Sequence, residues 1–200
     1  MVITEQLFVT KELVESKIDL LIENLTTIKD DSGEFLLDFD GLKVDDKSWT
    51  IWNWPQGVGL YGIYKNYRNT KNPRSLAVVE EWFEARMAEG APPKNVNTMA
   101  PLLTMAYLYE DTKDSRYLPY LEQWAEWVMK DMPRTEENGL QHETYGPSNT
   151  NQLWDDTLMM TVLPLAKIGV LLDRPEYLEE ARYQFLLHIK FLMDKKTGLW

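Results

Sequence analysis

Asn69-Thr70-Lys71-Asn72-Pro73-Arg74-Ser75-Leu76 and Asp111-Thr112-Lys113-Asp114-Ser115-Arg116-Tyr117-Leu118 read as two copies of one tight turn. A third version, Asp173-Arg174-Pro175-Glu176-Tyr177-Leu178, follows later in the chain. In the first copy Asn72 is placed to cap a helix whose first residue is Pro73, where a missing N–H costs nothing. Each turn joins a stretch rich in Gly, Ala, Thr and Met to one with a charged face, such as Glu80, Glu81 and Glu84. The first kind suits a helix buried on most sides and the second a helix with one wet side. Asn72 and Asp114 stand 42 positions apart. That period and alternation predict stacked αα-hairpins in an inner and an outer layer.

Working outward, the apolar spacing predicts helices throughout. Leu13, Val14, Ile18, Leu21, Ile22 and Leu25 recur at helical intervals behind Thr10, a suitable N-cap. A turn-rich, acidic segment runs from Asp30 to Ser48. Further helices are expected from Pro55 to Tyr67, from Asn72-Pro73 onward with Val78, Val79, Trp82, Phe83 and Met87 inside, from Thr98 to Tyr109, from Ser115 to Met132, from Asp155 to Leu172 and from Pro175 to Asp194. A long loop, Pro133 to Leu153, interrupts them. Two all-α architectures fit: an open superhelical scaffold, or an (α/α)6 toroid with a pocket at the mouth of its inner helices. A closed ring of six hairpins takes about twelve helices, two per hairpin, and this pattern supplies seven. Lys196-Thr197-Gly198-Leu199-Trp200 reads as a loop leading into another element. Residues 1–200 are therefore expected to form one domain, the N-terminal part of a ring truncated at Trp200.

Composition narrows the function. The chain has 200 residues, 44% hydrophobic and 12% aromatic, enough for a folded core. Its net charge of −11, with no Lys/Arg run, argues against nucleic acid as a partner. There is no Cys, which excludes disulfides and thiolate metal sites and suits a reducing compartment. Met1-Val2-Ile3-Thr4-Glu5-Gln6 lacks the basic and apolar regions of a signal peptide, and no stretch approaches the length of a membrane span. The expectation is a cytoplasmic protein with no membrane partner.

The chemistry concentrates in Gln152-Leu153-Trp154-Asp155-Asp156-Thr157-Leu158-Met159-Met160-Thr161. Two carboxylates open an otherwise apolar helix, and a buried carboxylate needs a partner or a proton. The ordinary reading is helix capping. However, adjacent helical positions diverge by about 100°, so the two acids cannot do the same job. Asp156 shares a face with Met159, Met160 and Leu163, while Asp155 is placed to cap or support. Trp154 offers a flat wall for a sugar ring. Trp49, Trp52 and Trp54 at the entrance to another helix suit either sugar stacking or a hydrophobic plug. Gly57 and Gly59 have neither the Lys-Ser/Thr nor the strand of a phosphate loop. Asn97 is read as an N-cap or as a group facing the pocket mouth. His142 lies in the long loop, where binding groups gather, and His188 is expected to pack in the outer layer. Two distant His without a regular partner give no metal site.

Four segments, in order, resemble the unsaturated rhamnogalacturonyl hydrolases of glycoside hydrolase family 105, with the related family 88 behind them. They are Gln56-Gly57-Val58-Gly59-Leu60-Tyr61-Gly62, Asn95-Val96-Asn97-Thr98, Gly139-Leu140-Gln141-His142 and Trp154-Asp155-Asp156-Thr157-Leu158-Met159-Met160-Thr161-Val162. The resemblance implies an (α/α)6 barrel that removes a 4,5-unsaturated uronic acid from a short pectin-derived oligosaccharide, with no cofactor. It implies an acid that protonates the C4=C5 enol ether instead of the glycosidic oxygen. Asp156 matches the family's catalytic Asp and Trp154 its stacking Trp. His142 and Asn97 match pocket residues, and Trp54 lies near where the family places an aromatic at the sugar site. Remaining contacts, including a cationic partner for the uronate, are expected beyond Trp200. Alternatives are an unsaturated glucuronyl hydrolase, a toroidal sugar epimerase and a non-catalytic helical-repeat interaction protein.

Overall fold

The computed structural model describes residues 9–39 and 41–200. The Met1–Gln6 reading therefore lies outside the described residues. The helices are α1 Lys11–Thr27, α2 Trp54–Thr70, α3 Pro73–Glu89, α4 Val96–Met99, α5 Leu102–Thr112, α6 Leu118–Lys130, α7 Leu163–Leu171 and α8 Pro175–Leu192. A π-helical turn, Leu158–Val162, leads into α7. Helices α2, α5 and α7 pack side by side as an inner layer, and α3, α6 and α8 each return along the outside of its predecessor. The result is an arc of an (α/α) toroid. No helix among the described residues is long and apolar enough to cross a membrane.

The repeated turn holds in atomic detail. Lys71 and Lys113 both take the left-handed conformation, φ 59° and 57°. Their amides close the preceding helices onto Tyr67 O and Tyr109 O at 2.7 and 2.9 Å. Next, Asn72 N donates to Thr70 Oγ1 and Asp114 N to Thr112 Oγ1, both at 3.2 Å. Finally, Asn72 Oδ1 accepts from Arg74 N and Asp114 Oδ1 from Arg116 N, both at 3.0 Å. In the third turn Asp173 is left-handed, φ 52°, but Arg174 supplies no side-chain cap. Tight packing replaces it: a Cβ on Gly169 would lie 3.0 Å from Tyr177 Cβ, so glycine lets the hairpin close without a shift.

The core lies between the layers. It holds Leu60, Ile63, Tyr64, Val79, Phe83, Met105, Leu108, Leu121, Trp124, Leu165 and Ile168, all 3% exposed or less. Val78 and Met87 pack at its edge rather than inside. Thr10 caps α1 as read, accepting from Leu13 N at 3.2 Å, yet no residue of α1 is buried. Only Ile22 and Leu25 of its stripe pack against the core.

Three expectations are corrected. The helix expected over Thr98–Tyr109 is two helices, α4 and α5, broken at Ala100-Pro101. Proline has no N–H to continue the ladder and its ring clashes with the preceding turn. The break lets α2 come close, since a Cβ on Gly57 would sit 2.7 Å from Ala100 Cβ. The helix expected over Asp155–Leu172 opens instead with the π-helical turn, Leu163 N bonding back to Leu158 O; Pro164 follows it and again lacks the N–H of a regular ladder. The turn-rich segment contains a small antiparallel hairpin, β1 Leu37–Phe39 and β2 Leu42–Val44, pairing Leu37 with Val44 and Asp38 with Lys43.

Candidate active site

The inner helices begin at one end of the arc, and the candidate residues collect around those beginnings. The loop 133–153 is fixed first. Gln184, fully buried on α8, accepts from Leu140 N at 2.8 Å and donates to Asn138 O at 2.9 Å. Arg134 pairs with Glu180 of the same helix, both largely buried. A Cβ on Gly139 would meet Leu153 Cδ2 at 2.6 Å and Leu187 Cδ2 at 2.9 Å. His142 is then held through its backbone: its N–H donates to Gln152 O at 3.0 Å, and its carbonyl accepts from Asn149 Nδ2 at 2.8 Å.

The His142 ring is 3% exposed at residue level. It lies flat on Trp154, with centroids 4.2 Å apart and planes 3° from parallel. Trp154 Nε1 donates to Gln152 Oε1 at 3.0 Å, which sets the indole. On its edge, His142 Nδ1 is 2.9 Å from Thr157 Oγ1 and 3.3 Å from Asp156 Oδ1. One imidazole nitrogen therefore faces a hydroxyl and a carboxyl. The Thr157 hydroxyl can turn to suit either tautomer.

Asp156 is the anomaly. Its Oδ1 is buried and has no hydrogen-bond partner among the described residues. Burial pushes its carboxyl above the ordinary carboxylate range; the Asp155 charge adds to this, while His142 and the Thr157 and Asp156 backbone amides oppose it. Burial pushes His142 the other way, below the ordinary imidazole value, against the pull of Asp156 and Glu143. Both shifts favour uncharged groups. The two groups lie 3.3 Å apart, each shifted by burial toward its uncharged form.

The other candidates separate. Trp52 is core: it is 6% exposed, donates from Nε1 to Thr98 O at 2.8 Å and stacks with Tyr120 and Trp124. Trp49 packs on Trp82. The plug reading holds for both, and Trp54 alone of the three is exposed, at 41%. Asn97 is not a cap. Asn95 caps α4, accepting from Thr98 N at 3.0 Å while Thr98 Oγ1 accepts from Asn95 N at 2.9 Å. Asn97 sits half-buried in the first turn. Asp155 makes no side-chain cap bond and is exposed; it lines a separate shallow cavity with Leu153, Trp154, Leu192 and Trp200. His188 packs in the outer layer as read: it is fully buried on α8, its Nδ1 2.7 Å from Gln184 O, and its surroundings include the Trp154 backbone. Thr157, Asn149 and Gln152 were not singled out in the sequence. Thr157 alone left a signal there, a hydroxyl following the acid on an apolar helix.

No group of three or more His, Cys, Asp or Glu among the described residues is arranged to hold a metal. Residues 27–200 match the family model described as Glycosyl Hydrolase Family 88. The chain belongs to that family. It is 30% identical over 197 residues to the unsaturated rhamnogalacturonyl hydrolase YesR of Bacillus subtilis (strain 168), covering 98% of this chain and 52% of that protein. Two solved structures superpose with a TM-score of 0.94 at 56% identity. Each is titled a possible member of the GH105 family. One comes from Klebsiella pneumoniae and matches 96% of this chain and 51% of its own. The other comes from Salmonella enterica serovar Paratyphi A and matches 98% and 52%. The chain thus spans about half the length of these relatives. The likeness identifies the arc as part of the all-α toroid of the GH105 proteins.

Proposed function

We propose that the protein carrying this chain is a glycoside hydrolase that releases a 4,5-unsaturated uronic acid from rhamnogalacturonan-derived oligosaccharides, with Asp156 as its acid. The observation that carries the reading is the buried, unpartnered Oδ1 of Asp156 beside His142. Burial raises the Asp156 carboxyl above its ordinary value, the direction a proton donor needs. An enol ether needs such a donor: the proton goes to C4, and water adds at C5. The Asp156 carboxylate takes the proton that this water releases, so one carboxyl serves both steps. The resulting hemiketal opens the ring, and the neighbouring sugar leaves as an alcohol. Such chemistry needs no second, spaced carboxylate of the ordinary glycosidase kind. It also needs no metal or cofactor.

In this reading Trp154 and Trp54 present exposed indoles to the sugar, Asn97 and His142 border it, and Asp155 raises the acid's pKa through its charge. The substrate is a small oligosaccharide in the cytoplasm. The test is the loss of enol-ether absorbance when the intact protein meets an unsaturated rhamnogalacturonan disaccharide. Turnover of an unsaturated glucuronyl disaccharide alone would replace this substrate with the family's other one. Turnover of neither would overturn the proposal.

A further inference from the structure

A cavity of ≈ 400 Å³ lies beside the candidate site, between the start of α2, the end of α3 and the loop that carries His142. It is of the size that holds small ligands. Trp52, Ile51, Pro92 and Pro93 make its walls mainly apolar. Its floor is built. Gln56, fully buried, donates from Nε2 to Asp46 O at 3.1 Å and Ser48 O at 2.8 Å, which pins the segment carrying Asp46 against α2.

The charged groups of the lining are Arg86, Asp46 and Glu89. Arg86 is 9% exposed. Its Nη2 donates to Glu89 Oε1 at 2.6 Å, and its buried Nε has no hydrogen-bond partner among the described residues. A buried guanidinium N–H left unmade is costly, and binding sites are where such donors persist. Tyr145 also lines the cavity, and burial beside Asp46 holds its phenol in the neutral, donating form. Two carboxylates against one guanidinium disfavour an anion. Apolar walls with a few fixed donors and acceptors fit a neutral, hydroxyl-bearing ring instead. Tyr145 is three residues from His142, so their Cα atoms are at most about 11 Å apart. Asn53, another lining residue, directly precedes Trp54.

We infer that this cavity is an accessory subsite for a neutral sugar residue of a longer oligosaccharide chain, one that lies beyond the disaccharide unit containing the bond being cleaved. The inference rests on the saccharide reading above and adds a second point of contact with Arg86 at its centre. It separates substrates by length: a disaccharide is held only around Asp156, and a longer chain reaches Arg86 as well.

The experiment compares an unsaturated disaccharide with the tetrasaccharide that extends it, using the intact protein. Arg86→Gln is expected to lower the tetrasaccharide-to-disaccharide ratio of kcat/KM about tenfold, through KM, as the loss of a charge-assisted hydrogen bond does. Thr50→Tyr, at the exposed rim, adds bulk to the cavity while leaving Arg86 in the sequence, and is expected to lower the same ratio. A ratio unchanged in either variant, with folding intact, overturns the subsite. Saturation-transfer NMR with a saturated, uncleavable tetrasaccharide reads the cavity without catalysis. A transfer signal that is present with wild-type protein and disappears in both variants supports the inference, even if the wild-type protein cleaves neither substrate. No transfer signal with wild-type protein overturns it.

Discussion

Two helix starts in this arc, at α4 and α7, are built in opposite ways. At α4 a capping box satisfies the first turn on both sides: Asn95 and Thr98 exchange side-chain bonds at 3.0 and 2.9 Å. At the entrance to α7, acids occupy the same sort of position; the π-helical turn begins behind Thr157 with no side-chain cap, and Asp156 Oδ1 is buried without a hydrogen bond, 3.3 Å from His142 Nδ1. Both starts are followed by a proline, Pro101 and Pro164. The similar frame makes the contrast instructive. One end uses its polar side chains in a reciprocal cap that holds the fold, and the other sets a carboxyl oxygen against the His142 ring, 3.3 Å away.

The sharpest way to break this comparison is Asp156→Asn. Shape is kept and the acid removed, so kcat is expected to fall by about 10²–10⁴, while urea unfolding shows no loss of stability. Near-normal turnover would remove Asp156 from the chemistry, and a large loss of stability would make it a structural cap after all. Asn95→Ala tests the opposite end. Losing the cap should cost about 1 kcal/mol of stability, read as a lower urea midpoint, with the pH profile of kcat unmoved. A shifted profile would tie α4 to the acid and dissolve the distinction.

Smaller effects sharpen it. His142 opposes the upward shift of Asp156, so His142→Gln should move the alkaline limb of the kcat profile, where Asp156 ionises, to higher pH. A limb moving down would mean that the imidazole acts as a base in its own right. The smallest effect is in stability against pH. The chain has two His, and burial depresses both His142 and His188. Between their folded values and about 6.5, the unfolded chain binds protons that the folded chain does not. Their contribution is therefore full above about pH 6.5 and is lost as pH falls toward the folded values. Asp156 runs the other way: its raised value favours folding at low pH and loses that as pH rises through it. The urea midpoint should drop on acidification just below about pH 6.5, and less so in His188→Gln. An equal drop in that variant would show His188 to be solvated.

How much of this was legible varies with the physics of each element. The turns at Asn72 and Asp114 could be read because a cap, a left-handed residue and a proline or serine are local choices. The hairpin at Leu37–Val44 was missed although Asp40-Gly41 is a turn signal; strands of three residues leave no measurable period. The π-helical turn changes spacing by one residue over a single turn, too little to show against a helical pattern. Which Asn capped α4 depended on a register of two residues. His188 was legible as a packed outer-layer residue from its Leu and Ile neighbours; with Tyr177, Ala181 and Gln184 it recurs at helical spacing and forms the buried stripe of α8. Asp156 stood out because a charge on an apolar face is conspicuous. The stack of His142 on Trp154 joins a loop to a helix start and has no signature in sequence.

That stack has a consequence for how a ligand can arrive. An indole has two faces, and a sugar ring can lie on either. In Trp154 the imidazole of His142 covers one face in near-perfect register, 3° from parallel, while the residue keeps 44% of its surface open. Only the far face is available for stacking. The tryptophan is therefore a one-sided shelf, and a sugar resting there is obliged to lie parallel to the imidazole with the indole between them. Handedness of approach is built into the site before any hydrogen bond to the sugar is made.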